Sequence, residues 1–377
     1  GNGGHGIYSG GLSPIISGGE ITQAVGGEGK SGTGGHGIHG VHYLGISGSA
    51  EINNAKGGDS TGGTGGQGIR SDTQLDISGT ATIEKAQGGS GKTTGGAGIY
   101  SGGALSIEGG TIGKWNTDGA TKTPDTDTGA LGGTATAGAK GGDGIHSNGV
   151  INITSGEIVN AKGGEGKGSG SSSIVSHGIY SEDALTITGS TIGNAQGGNG
   201  INHGGAGIYS GKNLNISGKA FIQNAKGGDS GEGGTPEKRG GVGIYSAGTL
   251  TIGDAKIEKA QGGKSSGTGG TGIFSSGKLT VSKDAAINNA TGGSGIHGGT
   301  GILSFDTMEI AGTIKEAFGG MSTGKGIGGH GIYSKNNLTI SDSATIGTAK
   351  GGDSTDAIGG SGIRSDGELI ISQSDPS

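Results

Sequence analysis

The sequence predicts an all-β fold, a single parallel β-helix of about twelve coils of roughly 30 residues each. Three observations predict it. The first is a tetrad, Gly-Ile-Tyr-Ser or a close variant, that begins at Gly6, Gly37, Gly68, Gly98, Gly144, Gly178, Gly207, Gly243, Gly272, Gly301, Gly331 and Gly362. Most successive spacings are 29 to 31 residues, and the longer ones are 46, 34 and 36. The second is an apolar residue that returns at fixed places within every period. The third is composition: 101 of 377 residues are Gly and only 4 are Pro. No Gly-X-Y register is present, which excludes collagen. No stretch carries the i, i+3, i+4, i+7 spacing of an α-solenoid.

Each coil contains three strand-like pieces. The tetrad supplies an Ile. After it comes a Leu-x-Ile piece, as in Leu75/Ile77, Leu185/Ile187, Leu250/Ile252 and Leu338/Ile340, whose period of two marks a half-buried strand. An Ile-x-x-Ala piece follows and ends in Gly-Gly, as in Ile52/Ala55, Ile192/Ala195 and Ile287/Ala290. Each coil thus offers about five small or medium inward residues, a core too thin to stand alone. Stacked coils bring each strand to its copy at ~4.8 Å and pair the backbone in parallel. The usual crossover preference makes the helix right-handed.

Glycine tracts precede most tetrads. In Gly62-Gly63-Thr64-Gly65-Gly66-Gln67-Gly68 the side chains fall at every third residue, the period of polyproline-II backbone. Two readings stay open: loops along one edge of the helix, or a layer of stacked extended glycine strands. Residues 1–377 read as one continuous solenoid, with an inserted surface loop at 113–138 and a smaller one at 231–241. The larger loop holds Trp115, the only Trp, and the acidic pair Asp125 and Asp127. It is a candidate binding loop or surface decoration, and the acids make it the place where a calcium ion would sit. No other cofactor or metal is expected.

The residue after each tetrad Ile forms an outward column that includes Tyr8, Tyr100, Tyr180, Tyr209, Tyr245, Phe274 and Tyr333. Such a column either stacks coil on coil or offers a stripe to sugar rings, and stacking is the preferred reading. An Asn column, Asn54, Asn160, Asn194, Asn224 and Asn289, suggests amide ladders or turn caps. A Thr column that would suit ice is interrupted by Asp76, Asn152, Asn215 and Glu309. Asp59, Asp143, Asp229 and Asp353 follow Gly-Gly but do not fall in consecutive coils. His5, His36, His177 and His330 keep one place in the repeat, which makes them scaffold before ligand.

A formal charge of −6 with only three Arg argues against nucleic acid. No apolar run reaches the ~20 residues of a membrane span. Arg70 and Arg364 occupy repeat positions with no acid cluster about them, so catalysis finds no support. The run Gly178 to Gly189, Gly-Ile-Tyr-Ser-x-x-x-Leu-Thr-Ile-x-Gly, resembles the repeats of bacterial surface β-helix proteins. These include autotransporter-like passenger regions and clostridial-type carbohydrate-binding β-helix proteins. The resemblance implies an extracellular or cell-surface location and an adhesive, glycan-binding or fibre-forming role. Both ends of the helix read as uncapped, with Ile7 at one and Leu369 and Ile371 at the other. The expectation is a non-enzymatic fibre subunit that stacks head to tail on copies of itself. An adhesin for polysaccharide or cell-surface glycan is the alternative, and a polysaccharide lyase comes third.

Overall fold

The computed structural model describes residues 1–117, 122–138, 140–168, 175–231 and 237–372. It is an all-β parallel solenoid of about eleven turns, and no helix occurs among the described residues. No helix is therefore long and apolar enough to cross a membrane. The twelve tetrad strands, from Ile7–Ser9 to Ile363–Ser365, pair in chain order in one parallel sheet. The Leu-x-Ile and Ile-x-x-Ala strands share a second, 25-stranded sheet. In two coils they run through the bend as single strands, Leu75–Ile83 and Leu105–Ile112. A register shift between Gly79 and Thr82 turns the chain there.

Pairing aligns like with like. Ile179 lies on Ile208 and Ile208 on Ile244; Leu185 lies on Leu214; Ile192 and Ala195 lie on Ile222 and Ala225. These side chains are buried and form one core along the whole rod. A fully buried Ile or Leu contributes about 1.5–3 kcal/mol by removal from water, and each does so only because a neighbouring coil covers it.

The tetrad's Ser is also inward. Ser181 Oγ donates to the carbonyl of Ala184 in its own turn (3.0 Å) and lies 2.8 Å from the carbonyl of Gly149 one coil back. Ser101, Ser210, Ser246, Ser275 and Ser304 repeat the pattern. The turn carbonyl also accepts a ladder amide, as Ile151 N–H donates to Ala184 O (3.1 Å), so the hydroxyl ties the corner of one coil to the corner of the coil before it. Every tetrad but the second, which has Gly40, places Ser there.

The glycine tracts are hydrogen-bonded from coil to coil. Gly96 N–H donates to Gly89 O, Gly89 to Gly66, Gly66 to Gly58, Gly58 to Gly35 and Gly35 to Gly27, all between 2.7 and 2.9 Å. The same climb runs from Gly360 through Gly329, Gly299 and Gly270 down to Gly198. A Cβ added at Gly66, Gly89 or Gly96 would stand 1.9 to 2.0 Å from a carbonyl oxygen of the coil below. Only Gly allows backbones that close.

The larger insertion is shorter than the sequence suggests. Strand Gly129–Leu131 pairs with Lys85–Gln87 on one side and with Ala161 and Lys162 on the other, so the coil resumes at Gly129 rather than after residue 138. Ala130 is fully buried and fills the slot that Ala86 and Ala161 fill in neighbouring coils. The excursion thus interrupts an Ile-x-x-Ala piece, with Ile112 before it and Ala130 after. Of the smaller insertion, residues 232–236 lie outside the described residues. Gly240 and Gly241 already belong to the glycine seam, where Gly241 N–H donates to Gly228 O at 2.8 Å.

Candidate functional site

The aromatic column is a stack. Successive ring centroids from Tyr100 through His146, Tyr180, Tyr209 and Tyr245 to Phe274 stand 5.1, 4.8, 5.1, 4.7 and 5.0 Å apart. Tyr209 and Tyr245 are within 2° of parallel. The parallel ladder sets this spacing, because aligned residues on adjacent strands share one χ geometry. The stack extends as cation–π contacts where Arg70 lies over Tyr100 (4.7 Å), and Arg364 lies over Tyr333 (5.1 Å). Tyr8 meets His39 edge-on at 5.5 Å. In the run from Tyr100 to Phe274, ring faces are spent on one another and edges point outward. A sugar ring needs a free face to lie on. Several hydroxyls are engaged as well: Asn148 Nδ2 donates to Tyr100 Oη (2.8 Å), and Tyr333 donates to Asp366. Burial pushes the Tyr180 phenol up to about 12, helped by Tyr209, Glu182 and Asp143.

Beside this column runs a second one, two residues ahead of the tetrad Ile, where His and Asp side chains accept backbone amides. His36 N–H donates to His5 Nδ1, Gln67 N–H to His36 Nδ1, Ala206 N–H to His177 Nδ1 and Ser361 N–H to His330 Nδ1, each at 2.9 Å. Asp143 fills the same place and takes the His177 amide at 2.6 Å. Accepting at Nδ1 leaves the ring proton on Nε2 and the imidazole neutral. Burial is the main reason His36 falls to about 3 and His177 to about 4. Burial pushes Asp143 the other way, but Lys140 and His146 outweigh it and hold the carboxyl well below its usual range. His146 Nδ1 lies 2.7 Å from Asp143 Oδ2.

Two of the Gly-Gly-Asp acids, Asp59 and Asp229, use the same device at another corner. Asp59 Oδ1 accepts from Ser90 N–H and Asp229 Oδ1 from Lys264 N–H, both at 2.7 Å. Asn160, Asn194 and Asn224 form an amide ladder with bonds of 2.8 and 2.7 Å.

The insertion docks on the end of that ladder. Asn160 Nδ2 donates to the carbonyls of Thr128 (2.8 Å) and Thr126 (3.2 Å). Strands Trp115–Asn116 and Thr123–Pro124 pair antiparallel, and Trp115 covers Gly193, where a Cβ would meet the indole at 2.7 Å. Trp115 is therefore a lid on the sheet. Asp125 Oδ1 accepts from Asp127 N–H at 3.0 Å, which closes the turn. Asp127 lines a cleft with Lys85, Lys162 and Glu165.

Histidines concentrate in the first coils. His5, His36 and His39 bring their ring nitrogens within 4.8 Å of one another. His39 Nε2 lies 3.1 Å from Asp72 Oδ2, and Arg70 Nε donates to the other oxygen of Asp72. Sequence spacing aligned His5 with His36 but gave no sign that His39 turns in to meet them.

At the outermost described coils, Ile7 pairs with Ile38, Leu369 with Leu338 and Ile371 with Ile340. Their exposures are 37%, 47% and 64%, against full burial of the same columns mid-rod. Comparison of the chain with protein families, curated proteins and solved structures finds no match.

Proposed function

We propose that this chain is a non-enzymatic, extracellular structural protein, a stiff rod that lengthens by stacking head to tail on further copies of itself. What supports this reading is the invariance of the coil-to-coil pairing, not the position of the chain's ends. Ile7 pairs with Ile38 and Ile332 with Ile363 in the register that pairs Ile208 with Ile244 at mid-rod. A strand of the same repeat, on whatever chain, therefore adds to an open edge by the bonds already used inside. In the described coils Ile7, Leu369 and Ile371 lack the cover their columns have elsewhere, and any further coil stacked there would contribute about 1.5–3 kcal/mol for each side chain fully buried. A heterologous contact of this kind propagates as a fibre.

Negative-stain electron microscopy across a concentration series tests the proposal. Unbranched filaments that lengthen with concentration are expected, and Ile371→Lys should leave single rods with unchanged β circular dichroism. Separate rods of wild-type chain at every concentration would end the filament reading.

A further inference from the structure

We infer that His5, His36 and His39 form a binding site for one divalent transition-metal ion that favours imidazole, such as zinc, nickel or copper, where the first coil meets the second. This site is independent of end-to-end stacking.

The geometry carries it in three steps. His39 Nδ1 and His5 Nε2 stand 3.4 Å apart. That is long for an N–H···N hydrogen bond. It is close to the ~3.3 Å between two nitrogens on a tetrahedral ion with bonds of about 2.0–2.1 Å. His36 brings a third ligand nitrogen within 4.8 Å of the other two, so a modest side-chain rotation completes the set. The second nitrogen of His39 faces Asp72 at 3.1 Å, and Arg70 holds that carboxylate. A carboxylate behind an imidazole is the arrangement that orients metal-binding histidines and fixes their tautomer. Lastly, a cleft lined by Asn2, Thr33 and Arg70 opens onto all three rings and gives the ion a way in. Imidazole ligands without thiolate suit zinc, nickel and copper better than calcium or magnesium.

Binding must displace bonds already made, and this gives it a signature. In the metal-free chain Nδ1 of His5 accepts the His36 amide, and Nδ1 of His36 accepts the Gln67 amide. Their ring protons therefore sit on Nε2. An ion taken at Nε2 moves each proton to Nδ1 of the same ring, with no net proton gained or lost, and both amides lose their acceptor. The site trades affinity for this exchange.

The test is zinc chloride titrated into the full chain at neutral pH by calorimetry, with amide hydrogen exchange followed residue by residue. One saturable site per chain is expected, with faster exchange at His36 and Gln67. His39→Phe, which keeps a ring in the column, should weaken binding at least tenfold, and so should His5→Ala, whose ring is exposed. His42→Gln, outside the cluster, should leave binding unchanged. Absence of saturable binding would overturn the site. So would zinc binding that survives both His39→Phe and His5→Ala, or zinc binding that leaves both amides protected.

Discussion

The isoleucine core and the glycine seam lie in the same coil and are specified by opposite means. Core columns are defined by what fills them, and they accept variation: Leu279 lies on Met308, Ile252 on Val281 and Ile151 on Leu185. A column needs an apolar side chain of about the right volume, and the neighbouring coil adjusts. The seam is defined by what is missing. Two Gly-Gly pairs per coil interleave so closely that a single methyl would occupy the space of a carbonyl oxygen. One tract carries Val175-Ser176 in place of Gly-Gly, and there the Ser176 hydroxyl donates to Gly164 O. A solenoid can thus be held by side-chain volume along one wall and by backbone proximity along another.

The contrast can be broken most severely at the seam. Gly96→Ala puts a Cβ 1.9 Å from Gly66 O, so the two strands must separate. We expect loss of the cooperative thermal transition, while Gly4→Ala, with nothing within 4 Å, leaves it unchanged. A core variant should be milder. Ile216→Ala should cost about 2–5 kcal/mol and Ile216→Val about 0.5–1.5 kcal/mol in urea unfolding. If Gly96→Ala proves no worse than Ile216→Val, the seam is not the tighter region.

The amide-accepting column sharpens the comparison through pH. His177 falls from an ordinary 6.5 to about 4 because it is buried. The unfolded chain binds this proton below pH ~6.5 and the folded chain only below about 4, so acid favours unfolding across that window. Stability should fall by on the order of 3 kcal/mol from pH 7.5 to 4 through this group. His177→Gln supplies an oxygen acceptor that does not titrate. It should flatten that stretch of the stability profile, read from urea midpoints. Asp143, held low by Lys140 and His146, contributes stability that is present above its unfolded pKa and lost at more acid pH. A smaller effect than that of the histidine is expected at the corner hydroxyl. Ser181→Ala removes the hydroxyl from Gly149 O, while Ala184 O keeps the Ile151 amide (3.1 Å), and should cost about 0.5–1.5 kcal/mol, measured by the same denaturation.

Much of the coil was legible. Tetrad spacing and the Leu-x-Ile and Ile-x-x-Ala pieces gave the strands and their inward faces, since period-two alternation is a local property of the chain. The Ser column was visible as a recurring letter, but its role was not, because one of its partners belongs to the preceding coil. The insertion's end was misplaced because Ala130 and a later Ala fit the same local pattern, and pairing with Lys85–Gln87 alone selects between them. The sugar-stripe reading of the tyrosines required free ring faces, and coil stacking covers them from Tyr100 to Phe274.

The sequence by itself determined the repeat, the strand-forming pieces and the identity of each column, because these follow from the order of side chains along one strand. The tertiary structure alone decided which columns touch. His5 and His39 are 34 residues apart yet in contact, and Gly96 and Gly66 are held within a methyl's width, because stacking turns one period of sequence into a single strand spacing.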